Sequence, residues 1–321
     1  MFLRIPLFFL FISVAVSLGA QKRNPFNSYL PIMESSSISW RSPMNNTEDL
    51  VFDLQPTLYY QFYNTYADTS KTSKQAVYAN FKSHIRMFQE QSLPVKTPSY
   101  KAFLGYQHSF NWSKNVLHIA LETGHYSNGQ SSCAWDASVA DGSDACKAAY
   151  REINDETDLA EIYNRNSGNF SINLTQLIIQ FVIPRIKEPK MKDAAIAHRF
   201  TLTLGRNDEA FAFVFDFSGK EDDIQFVGDN FIKMETESFF SPNDKIDFSL
   251  KNELEYVNGV HASINPWRYT FSVNVFPLEW VTAFYMAYTT GHDNYNYRIV
   301  DSGNQFSVGV RWDLFDRNQY K

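Results

Sequence analysis

Val116-Leu117-His118-Ile119-Ala120-Leu121-Glu122-Thr123-Gly124-His125-Tyr126-Ser127-Asn128-Gly129 alternates with period two. Side chains alternate across a β-strand, so Leu117, Ile119, Leu121, Thr123, His125 and Ser127 share one face. His118, Ala120, Glu122, Gly124, Tyr126 and Asn128 share the other. A greasy row backed by a row carrying His and Glu suits a wall with lipid on one side and a polar lumen on the other. A sandwich that hides its greasy face between sheets shows the same alternation, so this strand alone does not choose between them.

The pattern recurs along the chain. In 306–314, Phe306, Val308, Val310, Trp312 and Leu314 oppose Ser307, Gly309, Arg311 and Asp313. In 268–276, Tyr269, Phe271, Val273 and Val275 oppose Arg268, Thr270, Ser272 and Asn274. Strands are predicted at 57–66, 75–87, 101–111, 115–127, 173–183, 199–204, 210–217, 231–240, 246–256, 268–276, 281–290 and 306–314. Turn-rich links such as Ser241-Pro242-Asn243-Asp244 separate them. Helical periodicity is nearly absent, and past Ala20 no run of eighteen apolar residues exists to form a membrane helix. Many predicted strands in one chain point to an all-β fold, a transmembrane antiparallel β-barrel of about 12 strands, spanning 51–321.

The N-terminus agrees with export. Arg4 precedes a mostly apolar run from Ile5 to Val16, and Ser17-Leu18-Gly19-Ala20 offers a small-residue cleavage site. Residues 1–20 therefore read as a signal peptide and 21–50, rich in Ser, Asn and Pro, as an irregular leader. An exported barrel belongs in a bacterial outer membrane. Aromatic content is 16% of 321 residues, with 28 Phe and 18 Tyr, as expected where rings meet lipid. The net charge of −6 gives no support for nucleic-acid binding. Cys133 and Cys146, in a Gly/Ser/Asp-rich stretch, read as a loop disulfide in an exported chain. Asp136, Asp141 and Asp144 in that stretch read as a solvated loop, and the remaining histidines show no metal-ligand spacing.

At its end the greasy row turns into His125 and then Ser127. Two residues apart on one strand face, their Cβ atoms lie roughly 7 Å apart, within reach of an Nε2 to Oγ contact. A serine hydroxyl becomes a competent nucleophile when an imidazole takes its proton. Asn128 and Gly129 form a turn whose N–H groups are candidates for an oxyanion hole. A third residue must hold the imidazole, and an asparagine oxygen can do so. Asn164, just after the loop, and Asn173, heading the row Asn173, Thr175, Leu177, Ile179 and Phe181, are equal candidates by alternation.

His125-Tyr126-Ser127-Asn128-Gly129 resembles the His-x-Ser-Asn-Gly signature of the outer-membrane phospholipase A family. Ser92-Leu93-Pro94 through Tyr100–Tyr106 is similar to the loop and strand ahead of that family's active-site strand. Tyr288 through Tyr297, followed by Gln305 through Val310, is similar to its closing hairpin. The resemblance implies a twelve-stranded barrel with a Ser-His-Asn triad on its outer surface, hydrolysing phospholipid acyl esters with calcium and as a homodimer. Ser127 then matches the nucleophile and His125 the base. The family's asparagine lies between an aromatic residue and an arginine, which Tyr163-Asn164-Arg165 reproduces, so the resemblance favours Asn164 over Asn173. For calcium it implies the Gln130 carbonyl, the position of Ala160 (a serine in the family) and Ser92 from a dimer partner. Ala160 departs from the pattern, as does the long insertion between Ser127 and the asparagine. The reading from another class is a catalytically inactive barrel acting as a pore or structural protein.

Overall fold

The computed structural model describes residues 32, 34–44, 49–66, 73–89, 95–112, 115–187, 195–208, 221–242, 246–277 and 282–312. The signal peptide, most of the expected leader, Ser92 and the expected strand at 210–217 lie outside them. Strands run β1 Ser36–Arg41, β2 Leu50–Gln55, β3 Thr57–Asn64, β4 Ser73–Phe88, β5 Val95–Trp112, β6 Asn115–Ser127 and β7 Ser171–Lys187. They continue as β8 Ala195–Asp208, β9 Gly228–Ser241, β10 Ile246–Val260, β11 Trp267–Pro277, β12 Thr282–His292 and β13 Ser302–Trp312. Each pairs antiparallel with its neighbours in one sheet. β1 pairs with β13 and with β2, and β2 pairs with β4, which closes the ring. Both β2 and β3 lie along β4 and are separated at Pro56, which has no N–H to give the ladder. Counted together they make a closed barrel of twelve strands.

The expected irregular leader to residue 50 is corrected by β1, which begins at Ser36. Its Ser-rich sequence gives alternation only Ile38 and Trp40 to show, so the signal there is faint.

Burial is inverted relative to a soluble protein. Leu121, Leu104, Met234, Phe284 and Met286 are exposed, with Leu121 at 54%. Their lumen-facing neighbours His118, Glu122, Gln107, Ser249 and Asn274 are buried. A sandwich would bury the first set and expose the second. This barrel therefore presents hydrocarbon outward, as a transmembrane outer-membrane barrel does.

Several lumen charges are paired. Asp53, wholly buried, takes Arg86 Nε at 2.8 Å, His84 Nε2 at 2.7 Å and Arg41 Nη2 at 3.2 Å. The Arg86 guanidinium also grips Asp293 with both of its terminal nitrogens, Nη2 reaching Oδ1 at 2.7 Å. Lys82 meets Glu34 at 3.0 Å, and Lys251 and Arg199 meet Glu235 and Glu237.

Over one mouth sits a cap built from residues 128–170, helices α1 Asp144–Glu152, α2 Leu159–Ile162 and α3 Glu221–Val227, and the 3-10 turn Asn296–Val300. Its core is aromatic. Trp135 packs edge-on against Tyr297 at 4.8 Å and Phe226 at 5.4 Å, and Phe170 against Tyr297 at 5.0 Å. Cys133 and Cys146 are joined inside this cluster, Cα atoms 5.6 Å apart.

Asp293 lies in the link beyond β12 and ties the cap to the wall. Burial raises its carboxyl, but the charge and hydrogen bonds of Arg86, with the charges of Arg268 and Arg41, together hold it down to about 2. A depressed carboxylate stabilises above its unfolded pKa of about 3.9 and loses that contribution as pH falls through the folded value. Cap docking is therefore expected to hold from neutral pH to about 4 and to fail toward pH 2, read by Trp fluorescence. Asp53→Ala, leaving the Arg41 and Arg86 guanidiniums around a vacated carboxylate, is expected to cost about 3–5 kcal/mol. Heat-modified migration on gels measures this, and an unchanged midpoint would contradict it.

Candidate active site

The β6–β7 register builds the site rung by rung. Leu117 faces Phe181, Ile119 faces Ile179 and Leu121 faces Leu177, three apolar rungs on the outer wall. The next two outward rungs are polar. Thr123 Oγ1 meets Thr175 Oγ1 at 3.0 Å, and His125 Nδ1 meets Asn173 Oδ1 at 2.8 Å. Ser127 stands opposite Ser171 on the last rung. His125 and Ser127 are half-buried, and Asn173 is buried. An amide oxygen only accepts, so Nδ1 carries the hydrogen and Nε2 keeps the lone pair that a base requires.

Asn164 has other work. Its Nδ2 donates to the Cys133 carbonyl at 3.0 Å, and its Oδ1 accepts from the N–H groups of Asn166 and Ser167. Its backbone N–H donates to Ala134 O at 2.8 Å. Its flanking residues belong to the cap as well. Tyr163 joins the aromatic cluster, and both terminal nitrogens of Arg165 reach Asp301, at 2.7 and 2.9 Å. Of the two asparagines, the structure brings Asn173 to His125 and places Asn164 in the cap.

Ser127 Oγ shares the outer face with His125, and no hydrogen bond joins them in this resting arrangement among the described residues. Catalytic contacts of this kind often tighten only with substrate present. Gly124 allows the neighbouring strand to approach beneath the pair, since a Cβ there would meet Ala102 O at 2.2 Å. Ala102 is the β5 residue directly opposite His125. An outer trough of about 640 Å³, lined mainly by Leu58, Tyr60, Phe81, Ala102 and Leu104, reaches His125. Alternation shows that these residues face outward. That they adjoin the histidine follows only from the β3–β4–β5–β6 register.

The two oxyanion candidates separate. The Asn128 N–H is committed to Phe170 O at 3.1 Å. Gly129, exposed and with φ of +64°, forms the turn, and its N–H has no partner among the described residues.

Among the described residues the expected calcium set is incomplete. The Ala160 carbonyl accepts from the Arg165 guanidinium at 3.0 Å, a cation where a second cation would be repelled. Ser92 lies outside the described residues. Gln130 remains at the turn, its N–H held by Asn128 Oδ1. Among the described residues no group of three or more His, Cys, Asp or Glu side chains gathers to hold a metal. Of the positions proposed for calcium, that of Ala160 does not fit a cation.

No family model matches this chain, and no curated protein matches it. Solved structures do resemble it. Outer membrane phospholipase A from Escherichia coli aligns over 94% of this chain and 98% of its own, with 13% identity and a TM-score of 0.51. The calcium-bound dimer of outer membrane phospholipase from Salmonella typhi aligns over 89% and 94%, with 12% identity and a TM-score of 0.47. At this identity the likeness is one of fold.

The two asparagines make different predictions. In ¹⁵N-histidine spectra of the barrel in micelles, a protected Nδ1 proton of His125 is expected. It should survive Asn164→Ala and disappear in Asn173→Ala. Loss in both variants, or in neither, would contradict the assignment.

Proposed function

We propose that this barrel hydrolyses acyl ester bonds of phospholipids, with Ser127 as nucleophile, His125 as base and Asn173 as the residue that orients the imidazole. The observation carrying this reading is the 2.8 Å contact of His125 Nδ1 with Asn173 Oδ1 on the lipid-facing wall. A soluble enzyme must extract its lipid. Here the ester is already at the rim, and the apolar trough beside His125 offers its acyl chain a greasy path.

His125 Nε2 takes the Ser127 proton as Oγ attacks the ester carbonyl carbon. Asn173 keeps Nδ1 protonated and stabilises the imidazolium that forms. The oxyanion develops beside the open N–H of Gly129. The imidazolium then protonates the departing lysophospholipid oxygen, leaving an acyl-serine. Water, deprotonated by the same imidazole, releases the fatty acid and restores Ser127. No step runs through calcium.

The location that fits is a bacterial outer membrane, with phospholipid as the partner. The likeness in fold to outer membrane phospholipase A from Escherichia coli supports the reading without carrying it. A pore fits less well, since paired charges occupy the lumen and the aromatic cap sits over one mouth.

Fatty-acid release from phospholipid–detergent micelles tests the proposal. Ser127→Ala and His125→Gln are each expected to lower the rate at least about 10³-fold. Rates equal to wild type in Ser127→Ala would remove the assignment.

A further inference from the structure

We propose that Asn128 is a positioning residue, a side-chain clamp that holds the ends of β6 and β7 in the register the His125–Asn173 contact requires. This rests on the hydrolase reading above and adds a residue to it.

Asn128 is 2% exposed. Its Oδ1 accepts from Phe170 N at 3.0 Å and from Gln130 N at 3.2 Å, while Nδ2 donates to Gly168 O at 2.7 Å. Its own N–H donates to Phe170 O at 3.1 Å. The β6–β7 ladder ends at Ser127 and Ser171, one rung earlier. Beyond that point the Asn128 amide supplies the acceptor for Phe170 that a further rung of ladder would have given. One side chain thus binds segments forty residues apart, immediately above the catalytic rungs.

Strand ends fray first, because their terminal bonds open locally at little cost. Both His125 and Ser127 lie in the last three residues of β6, and Asn173 is the third residue of β7. Without the clamp these rungs become the frayed end. The buried Phe170 N–H, the half-buried Gln130 N–H and the buried Gly168 carbonyl would also lose their partner. The bond to Gln130 N further fixes the turn in which Gly129 presents its N–H.

The test follows the rate at which a long-chain alkyl sulfonyl fluoride modifies Ser127 in the full chain reconstituted in micelles, read by mass spectrometry. Asn128→Ala is expected to slow modification by roughly 10- to 100-fold, as misplacement of about 1 Å does in enzymes, with the same final stoichiometry. Asn128→Asp keeps both acceptor bonds and loses the donor to Gly168, so it should recover part of the rate. A variant that is merely less stable would lower the final stoichiometry and leave the rate of the folded fraction alone. Rates within twofold of wild type in both variants, or a lowered plateau at unchanged rate, would overturn the clamp. Should Asn128→Ala fail to fold, Asn128→Ser, whose side chain is too short to reach Phe170 and Gly168 together, takes its place, and a wild-type rate there overturns the clamp. Wild type left unmodified at Ser127 removes the hydrolase reading itself, and this inference with it.

Discussion

Hydrocarbon offers no hydrogen-bond partner, so a strand crossing it must give every N–H and C=O to a neighbouring strand. In this chain that requirement is met by a twelve-strand ring closed through β1 and β13. Closure fixes register, and register fixes which side chains leave the wall on which side. A slip of one residue along β7 would turn Asn173 inward and bring a lumen residue outward. The pairing that puts Leu121 beside Leu177 is therefore the same pairing that puts His125 beside Asn173. The candidate chemistry is two polar rungs added to an apolar ladder at the point where bilayer gives way to water.

The two sides of the wall solve opposite problems. Outside, Leu104, Leu121, Met286 and Val308 meet lipid and need only be apolar. Inside, charge must be neutralised, and Asp53 with three basic partners and Arg86 with two carboxylates show how. The cap adds a small water-soluble core to one end of the barrel, stapled by Cys133–Cys146 and rooted through Arg165–Asp301 and Arg86–Asp293. Tyr126 links the two, since its hydroxyl accepts from Asn296 N at 2.8 Å one residue away from both His125 and Ser127.

Period-two alternation put His125 and Ser127 on one strand face, because that depends on side-chain direction alone, and with the number of strands and the scarcity of helical periodicity it pointed to the barrel. It failed at β1, where serines blur the contrast. It also left Asn164 and Asn173 level, since choosing between them requires knowing which residue stands across the ladder. Flanking chemistry pointed to Asn164, yet its aromatic and basic neighbours serve the cap: Tyr163 packs in the cluster and Arg165 binds Asp301. The position of Ala160 fell with it, as its carbonyl receives that same arginine. Asn128 was legible as part of a turn. Its clamping role was not, because Gly168 and Phe170 lie some forty residues away and meet it only through the fold.

The proposed chemistry requires Ser127 to leave the wall on the lipid side. A nitroxide attached at Ser127→Cys, with a second at lumen position Glu122→Cys as reference, reports this through power saturation in phospholipid bilayers. Relaxation at 127 dominated by oxygen, and at 122 by a water-soluble nickel chelate, is the result this account requires. Chelate-dominated relaxation at 127 matching that at 122 would place the serine inside the barrel and contradict it.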